Sequence, residues 1–170
     1  TSPNPLVGAV VVSNGEIVGE GYHHQAGMPH AEVEALNNAG AEAKGATLHV
    51  TLEPCCTTGR TPPCTDAIQH AGIKRVVIGT LDPNPAHAGR ALEILKNNGI
   101  ETAVGLCETA CRELNEAFFH WVTRKRPFIT LKMAMTLDGK IVTADGDSKW
   151  VTGEKSRAYV QRLRQWADAI

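Results

Sequence analysis

The stretch LVGAVVVSNGEIVGEGY, residues 6–22, decides the fold. Leu6 to Val12 is a continuous apolar run, Asn14-Gly15 is the strongest short-range signal for a two-residue hairpin turn, and Ile17 to Tyr22 returns as the partner strand. Beyond the hairpin, helix and strand patterns alternate. His30 to Asn38 reads as a helix, with Ala31, Val33, Ala35 and Leu36 apolar and Gly40 as its stop. Ala46 to Leu52 reads as a strand, Cys64 to His70 as a short helix closed by Gly72, Arg75 to Thr80 as a buried strand and Gly89 to Lys96 as a helix. Ile100 to Leu106 reads as a fifth strand, and Glu108 to Val122 as one more helix. A hairpin followed by this alternation predicts an α/β layered fold whose sheet is parallel after its first pair.

The composition changes at Thr123-Arg124-Lys125-Arg126-Pro127. Three cations without interleaved aromatics read as a solvated linker and not as a nucleic-acid patch. The pattern then restarts, with Phe128 to Met135 strand-like, Asp138-Gly139 a turn and Glu154 to Trp166 an amphipathic helix. The expected organisation is a domain over 1–123, a linker over 124–127 and the first part of a second domain over 128–170. The abrupt start at Thr1-Ser2-Pro3 and the stop at Ala169-Ile170 suggest a piece of a longer polypeptide.

Composition narrows the classes. With 170 residues and 42% hydrophobic content the chain can bury one good core and part of another. A net charge of −1 gives no electrostatic reason to expect a nucleic-acid partner, and no apolar run approaches the length of a membrane span. Five cysteines are an odd number, and three crowd into one motif, so a reducing cytoplasm is expected. Cys107 and Cys111, four apart on a helical pattern, read as packing residues.

The chemistry is carried by His30-Ala31-Glu32, Pro54-Cys55-Cys56 and Cys64. Zinc favours thiolate and imidazole ligands, and a catalytic site holds it with three of them. His30, Cys55 and Cys64 fit that count, and Glu32 is placed to be a proton shuttle beside the metal. Residues two apart on a helix point about 200° from each other, so His30 and Glu32 can converge only from a first turn. Pro29 suggests a helix start there, as Thr61-Pro62-Pro63 does for Cys64. Such a centre suits hydrolytic deamination, with Glu32 carrying a proton to the departing ammonia. A structural zinc or a disulfide is the alternative. In deaminases of cytidine and nucleic acids the second cysteine comes three residues after the first, not nine, which leaves Cys56 open as a substitute ligand. The inter-cysteine segment places Arg60 as a candidate phosphate contact, although a plain surface arginine is an equal reading. Asp82-Pro83-Asn84-Pro85 follows the Arg75–Thr80 strand, at the usual ligand-binding end of a parallel sheet.

Together the chain resembles the bacterial riboflavin-biosynthesis enzymes that fuse a pyrimidine deaminase to a pyrimidine reductase. The resemblance runs through Pro3-Asn4-Pro5-Leu6-Val7-Gly8, His30-Ala31-Glu32, Thr51-Leu52-Glu53-Pro54-Cys55, Gly59-Arg60-Thr61-Pro62-Pro63-Cys64 and Asp82-Pro83-Asn84-Pro85. It continues in Leu137-Asp138-Gly139-Lys140 and Ser148-Lys149-Trp150-Val151-Thr152, and the nine-residue cysteine spacing is the family's own. It implies a three-layer cytidine-deaminase-like fold with a five-stranded mixed sheet over residues 1 to about 123. A truncated dihydrofolate-reductase-like α/β domain would follow from about 127. The implied substrate is 2,5-diamino-6-ribosylamino-4(3H)-pyrimidinone 5′-phosphate, which loses its 2-amino group, and the reductase half then reduces the ribosyl group with NADPH. By resemblance, His30, Cys55 and Cys64 bind Zn2+ and Glu32 is catalytic. Asn4, Arg60, Asp82 and Asn84 would touch the deaminase substrate, Ala134 and Trp150 NADP, and Ser148 and Arg164 the reductase substrate. Cys56 stands where a serine is common. A homo-oligomer without nucleic-acid or membrane partners is expected. Competing functions are deamination of another base, a nucleoside or a tRNA adenosine, or a structural-zinc binding module.

Overall fold

A computed structural model describes residues 1–59, 61–85 and 87–170. β1 (Gly8–Ser13) and β2 (Glu16–Tyr22) form the expected hairpin. Asn14 and Gly15 both take positive φ, 50° and 87°, as a turn whose twist matches the flanking strands requires. Then follow α1 (Ala31–Ala39), a 3-10 turn (Gly40–Ala43), β3 (Thr47–Leu52), α2 (Cys64–His70), β4 (Arg75–Thr80), α3 (Arg90–Asn97) and β5 (Glu101–Val104). The five strands make one mixed sheet in the order β2-β1-β3-β4-β5. β1 is antiparallel to both β2 and β3, while β3, β4 and β5 are parallel, as the alternating pattern predicts.

Period-two alternation sorts the faces of the sheet. Val11, Leu48, Val50, Val76 and Ile78 enter one core with Ala35 and Leu36 of α1, Ile68 of α2 and Leu95 of α3. α1 lies close on the hairpin because β2 offers it glycines. A Cβ at Gly19 would sit 2.6 Å from the Ala39 nitrogen, and one at Gly21 2.6 Å from the Ala35 nitrogen. The opposite face receives α4 (Glu108–Leu114), whose buried Cys111 occupies the space above Gly79; a Cβ there would also lie 2.7 Å from the Thr51 carbonyl oxygen. Gly79 and its neighbour Ile78 point to opposite faces, so the sheet is sandwiched and the fold has three layers. Cys111 packs as read from the sequence, while Cys107 is exposed at the helix start.

Two expectations need correction. The helix read as continuous from Glu108 to Val122 is two helices, α4 and α5 (Glu116–Arg124), broken at Asn115. Asn115 is buried, and its side chain brackets the backbone of Leu6. Its Oδ1 accepts from Leu6 N at 2.8 Å and its Nδ2 donates to Leu6 O at 2.7 Å. Those two bonds replace helix continuity and fix the chain where it enters β1. Residues 128–135, expected as a strand, form none. A strand exists by pairing, and no strand among the described residues of 129–170 offers it a ladder. Ile129 and Leu131 accordingly stay 85% and 80% exposed.

By contacts the chain divides into two compact units, Thr1–Phe128 and Ile129–Ile170. The second holds α6 (Glu154–Arg164), which ends two residues short of the expected Trp166. Among the described residues no helix is long and apolar enough to cross a membrane.

Gly19→Ala should lower stability by about 1–3 kcal/mol, the usual cost of forcing a methyl group into a packed contact. Urea unfolding measures it; an unchanged midpoint would mean that α1 can draw back from β2 without loss.

Candidate active site

Strand directions bring distant segments to one edge of the sheet. β3 and β4 are parallel, so Cys55 and Asp82, which follow their ends, emerge together. β1 runs the other way, so Asn4, just before it, lies at the same edge, and the Gly8–Tyr22 pairing adds the end of β2 and His23. Gly8 N donates to Thr51 Oγ1 at 3.1 Å, holding the two strand ends in register. α1 and α2 also start here, with His30 as the cap of α1 and Cys64 as the first residue of α2.

His30 Nδ1 lies 3.2 Å from Cys64 Sγ and 3.5 Å from Cys55 Sγ, and the three ligand atoms are within 4.8 Å of one another. Zinc bonds of about 2.0–2.3 Å at a tetrahedral angle set nitrogen and sulfur ligands roughly 3.6 Å apart. The donor set therefore fits zinc in both softness and spacing, and it is the only such cluster among the described residues. Cys55 is the more acidic of the two thiols. The Cys64 thiol, ahead of His30 and the Cys64 backbone N–H at 3.2 Å, draws its pKa down to about 4 although burial opposes this. Cys64 is shifted upward, first because it donates to Cys55 and then by burial. His30 is raised, chiefly through its hydrogen bond with Cys55.

Glu32 is 3% exposed in the first turn of α1. Burial pushes its carboxyl up to about 7, with the Cys55 charge adding to the shift and its own backbone N–H and His30 opposing it. Cys56 is not part of that three-residue group, and its Sγ lies 3.7 Å from His87 Nδ1. The reading of Cys56 as a fourth or substitute ligand thus finds no support in the geometry.

Around the cluster sit residues with other partners. Asn4 Nδ2 donates to His23 Nε2 at 2.9 Å, and His23 Nδ1 bonds the Pro29 carbonyl at 3.0 Å. That carbonyl can only accept, so Nδ1 carries the proton and Nε2 receives the amide. His23, buried and 5.3 Å from the His30 ring, did not stand out in the sequence. Glu53, named in the sequence only as a member of the Thr51–Cys55 motif, has a carboxylate that accepts from Asp82 N at 3.1 Å and from Gly89 N and Ala91 N. Asp82 Oδ1 in turn accepts from Asn84 N at 2.8 Å, and burial raises the Asp82 carboxyl. Arg60 lies outside the described residues.

Residues 1–80 match the family model of the cytidine and deoxycytidylate deaminase zinc-binding region, and residues 127–170 that of the RibD C-terminal domain. "Riboflavin biosynthesis protein RibD" of Aquifex aeolicus is 62% identical over all 170 residues, which are 48% of that protein. The chain is similar to RibD proteins over its whole length. Among RibD structures, the Thermotoga maritima diaminohydroxyphosphoribosylaminopyrimidine deaminase/5-amino-6-(5-phosphoribosylamino)uracil reductase superposes with a TM-score of 0.87 at 53% identity, over 95% of this chain and 47% of that one. RibD of Acinetobacter baumannii gives 0.86 at 49% identity, over 95% and 45%. The chain spans about half the length of the RibD relatives that it matches.

In the second unit the RibD-derived expectations fall on separate places. A groove of about 500 Å³ is lined by Ala134 with Met133, Thr152, Ser156, Tyr159 and Leu163, but not by Ser148, Trp150 or Arg164. Trp150 lies under the Arg157 guanidinium at 4.5 Å, Arg164 Nη1 donates to Gln161 Oε1 at 3.2 Å, and Ser148 is exposed.

Metal analysis separates the cysteines. Cys64→Ala is expected to lose about one zinc per chain and Cys56→Ala to keep it; full zinc in Cys64→Ala would remove Cys64 from the ligand set.

Proposed function

We propose that the protein deaminates 2,5-diamino-6-ribosylamino-4(3H)-pyrimidinone 5′-phosphate hydrolytically, releasing ammonia, as the first half of a riboflavin-biosynthesis enzyme. The observation that carries this reading is the His30, Cys55 and Cys64 cluster with Glu32 buried in the adjoining first turn. Zinc held by His30 Nδ1 and the two sulfurs would supply the Lewis acidity that makes water nucleophilic near neutral pH. Water oxygen adds at the ring carbon that bears the 2-amino group, and the carbon–nitrogen bond breaks. A Glu32 carboxylate oxygen takes the proton from the water and delivers it to the departing nitrogen, which leaves as ammonia. Asn4, held through His23, and Asp82 with Asn84, held through Glu53, are the proposed substrate contacts at the same sheet edge. Arg60, between the two cysteine ligands in sequence, is the proposed phosphate contact.

The proposed domains are the deaminase at 1–123, a linker at 124–127 and the start of an NADPH-dependent reductase domain at 128–170. Ala134 and Trp150 would meet the cofactor there, and Ser148 and Arg164 the reductase substrate. Five free cysteines suit a cytoplasmic location, and the family resemblance favours a homo-oligomer.

Glu32→Gln should keep zinc and fold and lose about 10²–10⁴-fold in kcat, because the amide cannot take up the proton. Ammonia release across a panel of the phosphorylated pyrimidine, its dephosphorylated form, cytidine and a tRNA anticodon stem-loop tests the substrate. Turnover of the last two alone would replace the reading. Arg60→Ala should cost roughly ten- to hundredfold in kcat/KM for the phosphorylated compound and leave the dephosphorylated one nearly unaffected. Equal losses for both would assign Arg60 to shaping the loop.

A further inference from the structure

We propose that Glu53 is a positioning residue of the active site, which sets the distance between the metal-ligand strand and the Asp82–Asn84 substrate loop. The inference rests on the reading of Asp82 and Asn84 as substrate contacts. Glu53 stands at a junction. Its backbone N–H donates to Thr80 O at 2.9 Å, which continues the β3–β4 ladder by one rung. Two residues later comes Cys55, and two residues after Thr80 comes Asp82.

The Glu53 side chain, 4% exposed, grips the loop that leaves β4 at both ends. Oε2 accepts from Asp82 N at 3.1 Å and from Gly89 N at 2.9 Å. Oε1 accepts from Gly89 N at 2.9 Å and from Ala91 N at 3.2 Å. Between these clamped ends the loop is tied internally, with Asn84 N on Asp82 Oδ1 and His87 N on Asn84 O, both at 2.8 Å. One side chain therefore fixes where the loop starts, where it ends and how far it stands from Cys55.

The chemistry calls for a carboxylate. Three N–H donors converge on the two oxygens, and Gly89 N is shared by both. An ionised carboxylate is an acceptor at every lone pair, whereas a glutamine amide must turn an NH2 group towards one of those donors whichever way it is flipped. The competing role is structural. Gly89 and Ala91 open α3, which has no side-chain cap of its own, so Glu53 could serve that helix alone.

Kinetics and hydrogen exchange on Glu53→Gln and Glu53→Asp separate the two roles. The positioning role predicts wild-type zinc content, a KM for the phosphorylated pyrimidine raised by about tenfold or more, and a much smaller change in kcat. The effect should be non-additive with Asn84→Ala, since both changes act on one loop. Glu53→Asp keeps the charge at the start of α3 but draws the carboxylate back by one methylene, so it should raise KM with less loss of thermal stability. A lower melting temperature with wild-type KM in both variants would overturn the proposal and leave only the helix cap. Amide exchange reads the clamp without turnover: Asp82, Gly89 and Ala91 should exchange faster in Glu53→Gln while Val76 and Ile78 of β4 keep their protection. Unchanged exchange at those three amides would also overturn it. Failure of the wild-type chain to turn over the pyrimidine, with the exchange result intact, would count against the substrate and not against the clamp.

Discussion

The close seating of α1 on β2 is the constraint on which the active edge depends. Gly19 and Gly21 leave no room for a Cβ against Ala35 and Ala39, so the helix axis is set by backbone contact and not by adaptable side chains. A helix held that tightly presents its start at a defined height above the sheet edge, with His30 as its cap and Glu32 in its first turn. The problem of aiming two residues only two apart at one small volume is solved by the helix boundary. His30, still extended as the cap, faces the thiols, while Glu32, already helical, is buried beside them. The parallel pairing of β3 with β4 then supplies the opposite side of the site.

Around this frame, three buried polar side chains act as pins between segments far apart in sequence. Asn115 fixes the entry to β1, His23 orients Asn4, and Glu53 grips the loop after β4. Each meets backbone or amide groups that would otherwise be left without partners in a dry interior, which is costly. The pins also explain how loops rich in proline, such as Pro3-Asn4-Pro5 and Pro83-Asn84-Pro85, hold side chains steady without belonging to a strand or helix.

Much of this was legible from residue order. Strands announce themselves by apolar runs and the hairpin by Asn14-Gly15, and the helix starts at Pro29 and Pro63 placed His30 and Cys64 correctly. The ligand cluster was legible because its chemistry is specific to residue type. What was hidden has one physical cause. Asn115 looks like any polar residue on a helix until Leu6, 109 positions earlier, is brought to it. The strand pattern at 128–135 was real as a pattern, yet a pattern does not supply the neighbour that a ladder requires. Cys56 was ambiguous because adjacent cysteines differ only in where the backbone points them, and here the second points to His87.

The three sulfur and nitrogen donors come from the cap of one helix, the segment after a strand and the start of another helix, and span residues 30 to 64. A cation bound by all three would cross-link that span as a covalent staple does, shrinking the freedom of the unfolded chain between them. The folded form alone offers the assembled donors, so ligation and folding become thermodynamically linked. Stability then rises with the logarithm of free metal above the dissociation constant. With zinc held by these three side chains, the melting temperature would rise with the zinc in the surroundings, and the fold itself would report on metal supply.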